Sequence, residues 1–361
     1  MSTRLRRLLL DTTPLREHHD YRLLWIGQVL SGIGNQVTRI ALPFQVYVLT
    51  GSLVAVGVLT LLQLIPILIF ALGAGSIADA VDRRRLLILT QVGMGVCSLA
   101  LTVLALQPAP SLAAILAVAF VSAGIGTVDQ PTRSSAIPRL VAPERLPAAI
   151  ALNQLNFQTT AIAGPAIGGL LIATVGLAGA YAVDLVSFAG SLASLALIAP
   201  IAPLATVTRP GLAAIREGLA FAARRRVVLA TFAIDLVAMI FGMPMALFPA
   251  LALDVFHSGA IGVGLMAAAP GLGAFGGALV SGWVSRVEHP GRAVVWAVLV
   301  WGLAIAGFGL ATFSFPLALA FLAVAGAADV LSAVFRSTIV QLETPDELRG
   351  RVMSIHFLVV R

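Results

Sequence analysis

Besides Arg336, four charged side chains stand inside long apolar runs of this sequence: Arg39, Asp184, Asp235 and Asp329. An isolated charge in hydrocarbon is costly and generally faces a cavity or a partner. These positions are therefore the first candidates for carrying a proton or holding a polar solute. Arg39 lies sixteen residues into its run, with Asn35 one turn before it and Gln28 further along the same side. Asp329 lies near the middle of another run, with Ser332 and Arg336 following at helical spacing. Arg336 is near enough to an aqueous face to snorkel, which makes it an anchoring arginine. Asp184 and Asp235 read equally as buried structural acids and as transport residues. The chemistry that fits the set is reversible protonation beside a solute path. Asp329 is the first choice for the acid and Arg39 for the cation that favours its ionised form, with Asp235 in reserve and Asp184 third.

Other chemistries lack their residues. The histidines, His18, His19, His257, His289 and His356, are dispersed without zinc spacing. Lysine is absent, so a phosphate-binding loop of the glycine-lysine type cannot be built, and the energy for any transport must come from an ion gradient. Cys97 is the single cysteine, which excludes an intrachain disulfide. No metal site, cofactor or nucleic-acid partner is expected.

The elements that must position these side chains follow from composition. Of 361 residues, 59% are apolar and only 11% charged, where a soluble chain carries about 25% charge. Mean hydropathy is +1.00. Such a chain has too few charges to cover a water-facing surface, so its partner is the lipid bilayer. A spanning helix needs about 20 apolar residues. Runs of that kind predict ten helices: 23–49, 53–78, 86–106, 112–128, 148–175, 177–200, 227–253, 260–284, 293–312 and 315–340, with an eleventh beginning near Val352. Segments 1–22, 79–85, 129–147, 201–226, 285–292 and 341–351 hold 20 of the 23 arginines, and the intervening loops hold none. By the positive-inside rule that places the N-terminus in the cytosol, and it explains the basic balance without nucleic acid.

The chain repeats itself. Arg133-Ser134-Ser135, with Pro143-Glu144-Arg145-Leu146 after it, returns as Arg336-Ser337-Thr338 with Pro345-Asp346-Glu347-Leu348. The organisation read from this is an N-terminal six-helix half (1–200), a cytosolic linker (201–226) and a C-terminal half (227–361). In the linker, Leu212, Ile215, Leu219 and Ala222 recur as on an interfacial amphipathic helix. The repeat offset puts the end of the second half near residue 400, so the sequence is expected to lack most of an eleventh helix and all of a twelfth. Asp129 and Arg133 mark the repeated end of the fourth helix.

Two motifs carry a resemblance. Between the second and third helices stand Gly75, Asp79, Asp82, Arg83, Arg84 and Arg85; on the fifth stand Gly164-Pro165-Ala166-Ile167-Gly168-Gly169, with Thr160, Asn156 and Asn153 back along the same face. Glycines four apart let another backbone approach closely. The first motif resembles the loop signature of the major facilitator superfamily, with Asp82 where many members have glycine. The second resembles the antiporter motif of its exporters. Residues 22–50, with Trp25, Gly27, Gln28, Gly34, Arg39, Pro43 and Leu49-Thr50-Gly51, look like the first helix of the superfamily's drug-and-siderophore export branch. The second-half copy of the loop is degenerate: Gly282 survives, but Ser285 and Arg286 replace the expected aspartate.

The resemblance implies an all-α membrane protein of the major facilitator fold, monomeric and multi-pass in a bacterial inner membrane. The implied activity is proton-coupled efflux of a drug-like or siderophore-like small molecule, with Asp79 holding the cytosolic gate against the start of the eleventh helix. Two alternatives stay open on the residues. One is an importer of a metabolite or sugar-like solute. The other is a membrane receptor or scaffold, against which the four charges at depth speak.

Overall fold

The computed structural model describes residues 11–201, 225–242, 244–280, 287 and 289–344, and every regular element among them is helical. A turn of helix, Thr13–Glu17, leads into α1 (His19–Thr50), α2 (Leu53–Ala80), α3 (Arg83–Ala105) and α4 (Leu112–Leu140). The run Leu146–Ala196 is broken at Gly176, with φ 73° and ψ 179°, into α5 before it and α6 after it. Only glycine holds that backbone conformation without strain. Local chemistry sets other ends too. Ser52 and Ser111 cap α2 and α4 by accepting from the amides of Ala55 and Ala114, each at 3.4 Å. Asp82 caps α3 by accepting from the Arg85 amide at 2.9 Å, and left-handed Gly51 closes α1.

The second half continues with α7 (Arg226–Gly242), α8 (Gly259–Leu279), α9 (Pro290–Leu310) and α10 (Phe315–Glu343). The single span expected over 227–253 is instead a 17-residue helix followed by a 3-10 turn Pro244–Leu247, one α-turn Phe248–Ala250 and a π segment Leu251–Val255. Pro244 and Pro249, five residues apart, each remove an amide hydrogen from the α ladder, and over this stretch the ladder gives way to 3-10 and π turns. The amphipathic linker helix and the start of an eleventh helix fall outside the described residues.

Among the described residues, seven helical runs are long and apolar enough to cross a membrane, and one of them, Pro143–Ala196, is the 54-residue run broken at Gly176. This is the expected all-α membrane fold. Although 32 residues long, α1 is not one of the seven, because it carries Asp20, Arg22, Gln28, Asn35, Gln36, Arg39 and Gln45.

Contacts divide the chain into two compact units: Met1–Val207 with Ala246–Ala268, and Thr208–Met245 with Ala269–Arg361. Segment 246–268 groups with the first unit, whereas the sequence boundary puts it in the second half. Within the first unit α1 lies between α5 and α6. A Cβ on Gly27 would come within 3.3 Å of Ser191 and Ser194 of α6, and one on Gly168 of α5 within 3.1 Å of the Val37 backbone. At the arginine-rich end, Tyr21, Leu24, Leu87, Ala136, Ile137, Ala149, Leu152 and Leu195 close into one apolar plug drawn from α1, α3, α4, α5 and α6. The Tyr21 hydroxyl donates to the Ala149 carbonyl at 2.8 Å, tying α1 to α5 there. In the second unit, Val294 of α9 packs with Phe335 and Ile339 of α10.

Candidate functional site

The first unit encloses an acid. Asp184 of α6 is 1% exposed and is met from three sides by hydroxyls. Thr38 Oγ1 of α1 donates to its Oδ2 at 2.6 Å and Ser98 Oγ of α3 to the same oxygen at 2.5 Å. Ser187 Oγ, one turn along α6, donates to the Asp184 carbonyl at 2.6 Å. Gly34 makes the convergence possible: a Cβ there would overlap Ser187 Oγ and Asp184 Oδ1. One turn further, the Tyr181 hydroxyl donates to Gln45 Oε1 at 2.8 Å, both side chains being buried. Thr38, Ser98 and Ser187 were not singled out by sequence reasoning. The available signal was the seven-residue spacing of Ser31, Thr38 and Gln45, which puts three buried polar groups on one face of α1.

A second buried cluster joins α3 and α4. Arg133 is 3% exposed, and its Nε donates to Asp129 Oδ2 at 2.7 Å. Asp129 Oδ1 accepts from Thr90 Oγ1 at 2.7 Å and from Gln91 Nε2 at 3.0 Å. Among the described residues, both terminal nitrogens of Arg133 are buried without a hydrogen-bond partner. The residues of the loop before α3 bind helix ends. Arg83, 1% exposed, donates through Nε to Ser135 Oγ at 3.0 Å. Arg84 donates to the carbonyls of Leu195 and Ala196 at 2.9 and 2.7 Å, satisfying acceptors at the end of α6. The backbones of Gly75 and Asp79 lie in the last turns of α2, while the Asp79 side chain lies outside the described residues, as does that of Asp235 in α7.

The remaining candidates separate. On α1, Asn35 and Arg39 are exposed, unlike the buried Thr38 between them. The amide-lined stripe of α5 instead faces α1: Asn156 and Thr160 are buried, Asn153 is partly buried, and a Cβ on Gly32 would stand 3.3 Å from Thr160. Further along α5, Gly164 sits on Gln36 of α1, and Pro165 is buried. Gly169 faces α8: a Cβ on it would stand 2.6 Å from the Ala260 carbonyl and 3.0 Å from Gly264 Cα. The antiporter-like motif is thus a place where α5 backbone touches both α1 and the start of α8.

On α10, Asp329 Oδ1 lies 3.5 Å from Arg336 Nη2. Arg336 is 2% exposed, which corrects its reading as a snorkelling arginine: the guanidinium turns back along its own helix to the acid, seven residues away. A contact that the sequence did not signal lies at the opposite end of the first unit, where the Tyr47 hydroxyl donates to Asp254 of the π segment. Tyr47→Phe should remove about 1 kcal/mol of that attachment. Amide exchange over 251–258 should then quicken about five-fold, as expected for a local opening of that free energy. Unchanged exchange would mean the bond contributes nothing in solution.

Comparison with known proteins adds the family. A family model described as transmembrane secretion effector matches residues 11–361. An enterobactin exporter of Citrobacter koseri is 28% identical over 350 residues, covering 95% of this chain and 82% of the relative. The enterobactin exporter of an Escherichia coli strain is 29% identical over the same lengths. Among solved structures, an inward-facing bacterial homologue of the iron transporter ferroportin superposes with a TM-score of 0.73 at 15% identity, covering 95% of this chain and 88% of that one. A bacterial homologue of the lysosomal transporter Spinster gives 0.73 at 16% identity, covering 97% and 80%. Those likenesses show a shared fold.

Proposed function

Since the chain belongs to the transmembrane secretion effector family of major facilitator transporters and is an efflux transporter, we propose that it exports a siderophore-like amphiphile in exchange for protons. The observation that carries the substrate class is the match over 95% of the chain to relatives named as enterobactin exporters. The exposed Arg39 and Asn35 on α1 suit such a solute, since an accessible guanidinium and amide can meet acidic hydroxyl or carboxyl groups. The arginine-rich end is assigned to the cytosol of a bacterial inner membrane, with the N-terminus inside, and the chain works as a monomer. Asp329 is the proposed coupling acid. It lies on α10, with Arg336 Nη2 3.5 Å from its Oδ1.

The gating proposal attaches to Asp79, with Gly75 and the cluster Asp82, Arg83 and Arg84. These loop residues already bind the ends of α3, α4 and α6, so a carboxylate beside them can hold that end of the first unit closed.

Cells loaded with radiolabelled enterobactin test the reading directly. Expression of the chain should speed release, and a protonophore should remove the gain. Retention equal to that of control cells would dispose of the substrate class, and release indifferent to the protonophore would dispose of proton exchange.

A further inference from the structure

The apolar plug at the arginine-rich end is followed, one turn deeper on four helices, by a layer of polar side chains. Gln91 stands four residues beyond Leu87 on α3, Arg133 four before Ile137 on α4, Asn153 four beyond Ala149 on α5, and Ser191 four before Leu195 on α6. Asn156, four beyond Leu152, is next on α5. Each carries a buried polar atom without a hydrogen-bond partner among the described residues: Gln91 Oε1, both terminal nitrogens of Arg133, Asn153 Oδ1, Asn156 Oδ1 and Ser191 Oγ. Buried polar groups are otherwise nearly always paired, and a layer holding both donors and acceptors is what buried water bridges.

The same layer connects by register to the enclosed acid. Thr38 lies seven residues beyond Ser31 on α1, Ser98 seven beyond Gln91 on α3, and Asp184 seven before Ser191 on α6. Seven residues are two turns, or about 10.5 Å. All three helices that surround the carboxyl thus place a polar side chain the same distance toward the arginine-rich end. Ser31 itself is buried and bonded to the Gly27 carbonyl at 2.9 Å. The intervening turn carries Gly34 on α1, Gly95 on α3 and Ser187 on α6, with buried Phe188 of α6 packed against Gly95.

We propose that Asp184 is a proton-binding site inside the first unit, hydrated from the polar layer at Gln91, Arg133, Asn153, Asn156 and Ser191. The carboxylate takes a proton from hydronium on that water and becomes the neutral acid; no other bond forms or breaks. Ionised, it accepts from Thr38 and Ser98. Neutral, it carries the proton on Oδ1, where Ser187 Oγ is 3.4 Å away, and Oδ2 becomes a weaker acceptor for Thr38 and Ser98, so each proton loosens the hold of α1 and α3 on α6. The groups facing it are Thr38 and Gly34 from α1, Ser98 from α3, and Ser187 and Tyr181 from α6. Arg39, beside Thr38, is exposed, and Cys97, beside Ser98, is buried. The site would link protonation to the seating of α1, the helix that carries Asn35 and Arg39. That role in transport rests on the proton-exchange reading above, whereas the titration does not.

Infrared difference titration of the chain in lipid nanodiscs tests it without a substrate. A carbonyl band of a protonated carboxyl should appear as pH falls, vanish in Asp184→Asn and survive in Asp329→Asn. Ser98→Ala and Thr38→Val keep the acid but remove a donor, and each should shift the band; Gln91→Leu should slow its appearance after a pH jump several-fold. Bands identical in wild type and folded Asp184→Asn would overturn the proposal. Where Asp184→Asn does not fold, an unshifted band in both Ser98→Ala and Thr38→Val would overturn it equally. Failure of enterobactin release leaves this titration untouched, so the two readings fail separately.

Discussion

Gly326→Leu should leave no stable second unit. In α10 a Cβ at Gly326 would fall on the Pro270 carbonyl of α8, and a Cβ at Gly273 of α8 would fall on the Ala323 carbonyl of α10. Two turns from Pro270, a Cβ on Gly277 would stand 3.1 Å from both Cα and O of Ala327. The obstacles are backbone atoms, so no rotamer change relieves the overlap and the helices must separate. Overpacking a core typically costs about 1–3 kcal/mol when side chains can move, and this contact belongs at or beyond the upper end. The expected result is loss of the monodisperse peak in fluorescence-detected size exclusion, or a thermal midpoint lowered by several degrees where some protein survives. Gly276→Ala, at a position on α8 with open space around its would-be Cβ, is the matched control and should be neutral. A wild-type midpoint for Gly326→Leu would show that α8 and α10 do not touch through their backbones in the membrane.

How far the sequence foretold such contacts depends on what kind of signal each leaves. The spans were legible because lipid imposes one rule on every residue of a crossing helix, and Gly176 and Gly51 fell at the expected turns. α7 was not, because Pro244 and Pro249 act on the backbone while leaving hydropathy unchanged. Asp129 and Arg133 stood out in the sequence as the repeated end of the fourth helix, and their i, i+4 pairing is what the structure adds. The cage around Asp184 was not, since Thr38 and Ser98 lie 146 and 86 residues away and are ordinary hydroxyls that only packing distinguishes. Arg336 was misjudged for a related reason. A long side chain can turn either way along its helix, and here it turns to the nearby acid.

That turn of Arg336 gives the coupling test its form. In Asp329→Asn, pH-gradient-driven export by the chain in vesicles should vanish, while substrate exchange without a gradient persists. One coupled proton supplies about 1.4 kcal/mol per pH unit, or roughly ten-fold accumulation, and the variant should fall to no accumulation. An amide of the same shape keeps hydrogen bonding near Arg336 but cannot take up or release a proton. The Asp329 side chain is 44% exposed while Arg336 is buried, so unpairing them should cost well under the penalty of a fully buried pair, and a modest loss of thermal stability is expected as well. Stability alone does not distinguish coupling from packing, and the exchange assay does: a misfolded carrier loses both activities, an uncoupled one loses only the driven component. Asp329→Glu, which restores the titrating group with one more methylene, should recover part of the accumulation. If Asp329→Asn still accumulates substrate and Asp235→Asn does not, the coupling acid lies on α7, and the pair on α10 holds only its own helix.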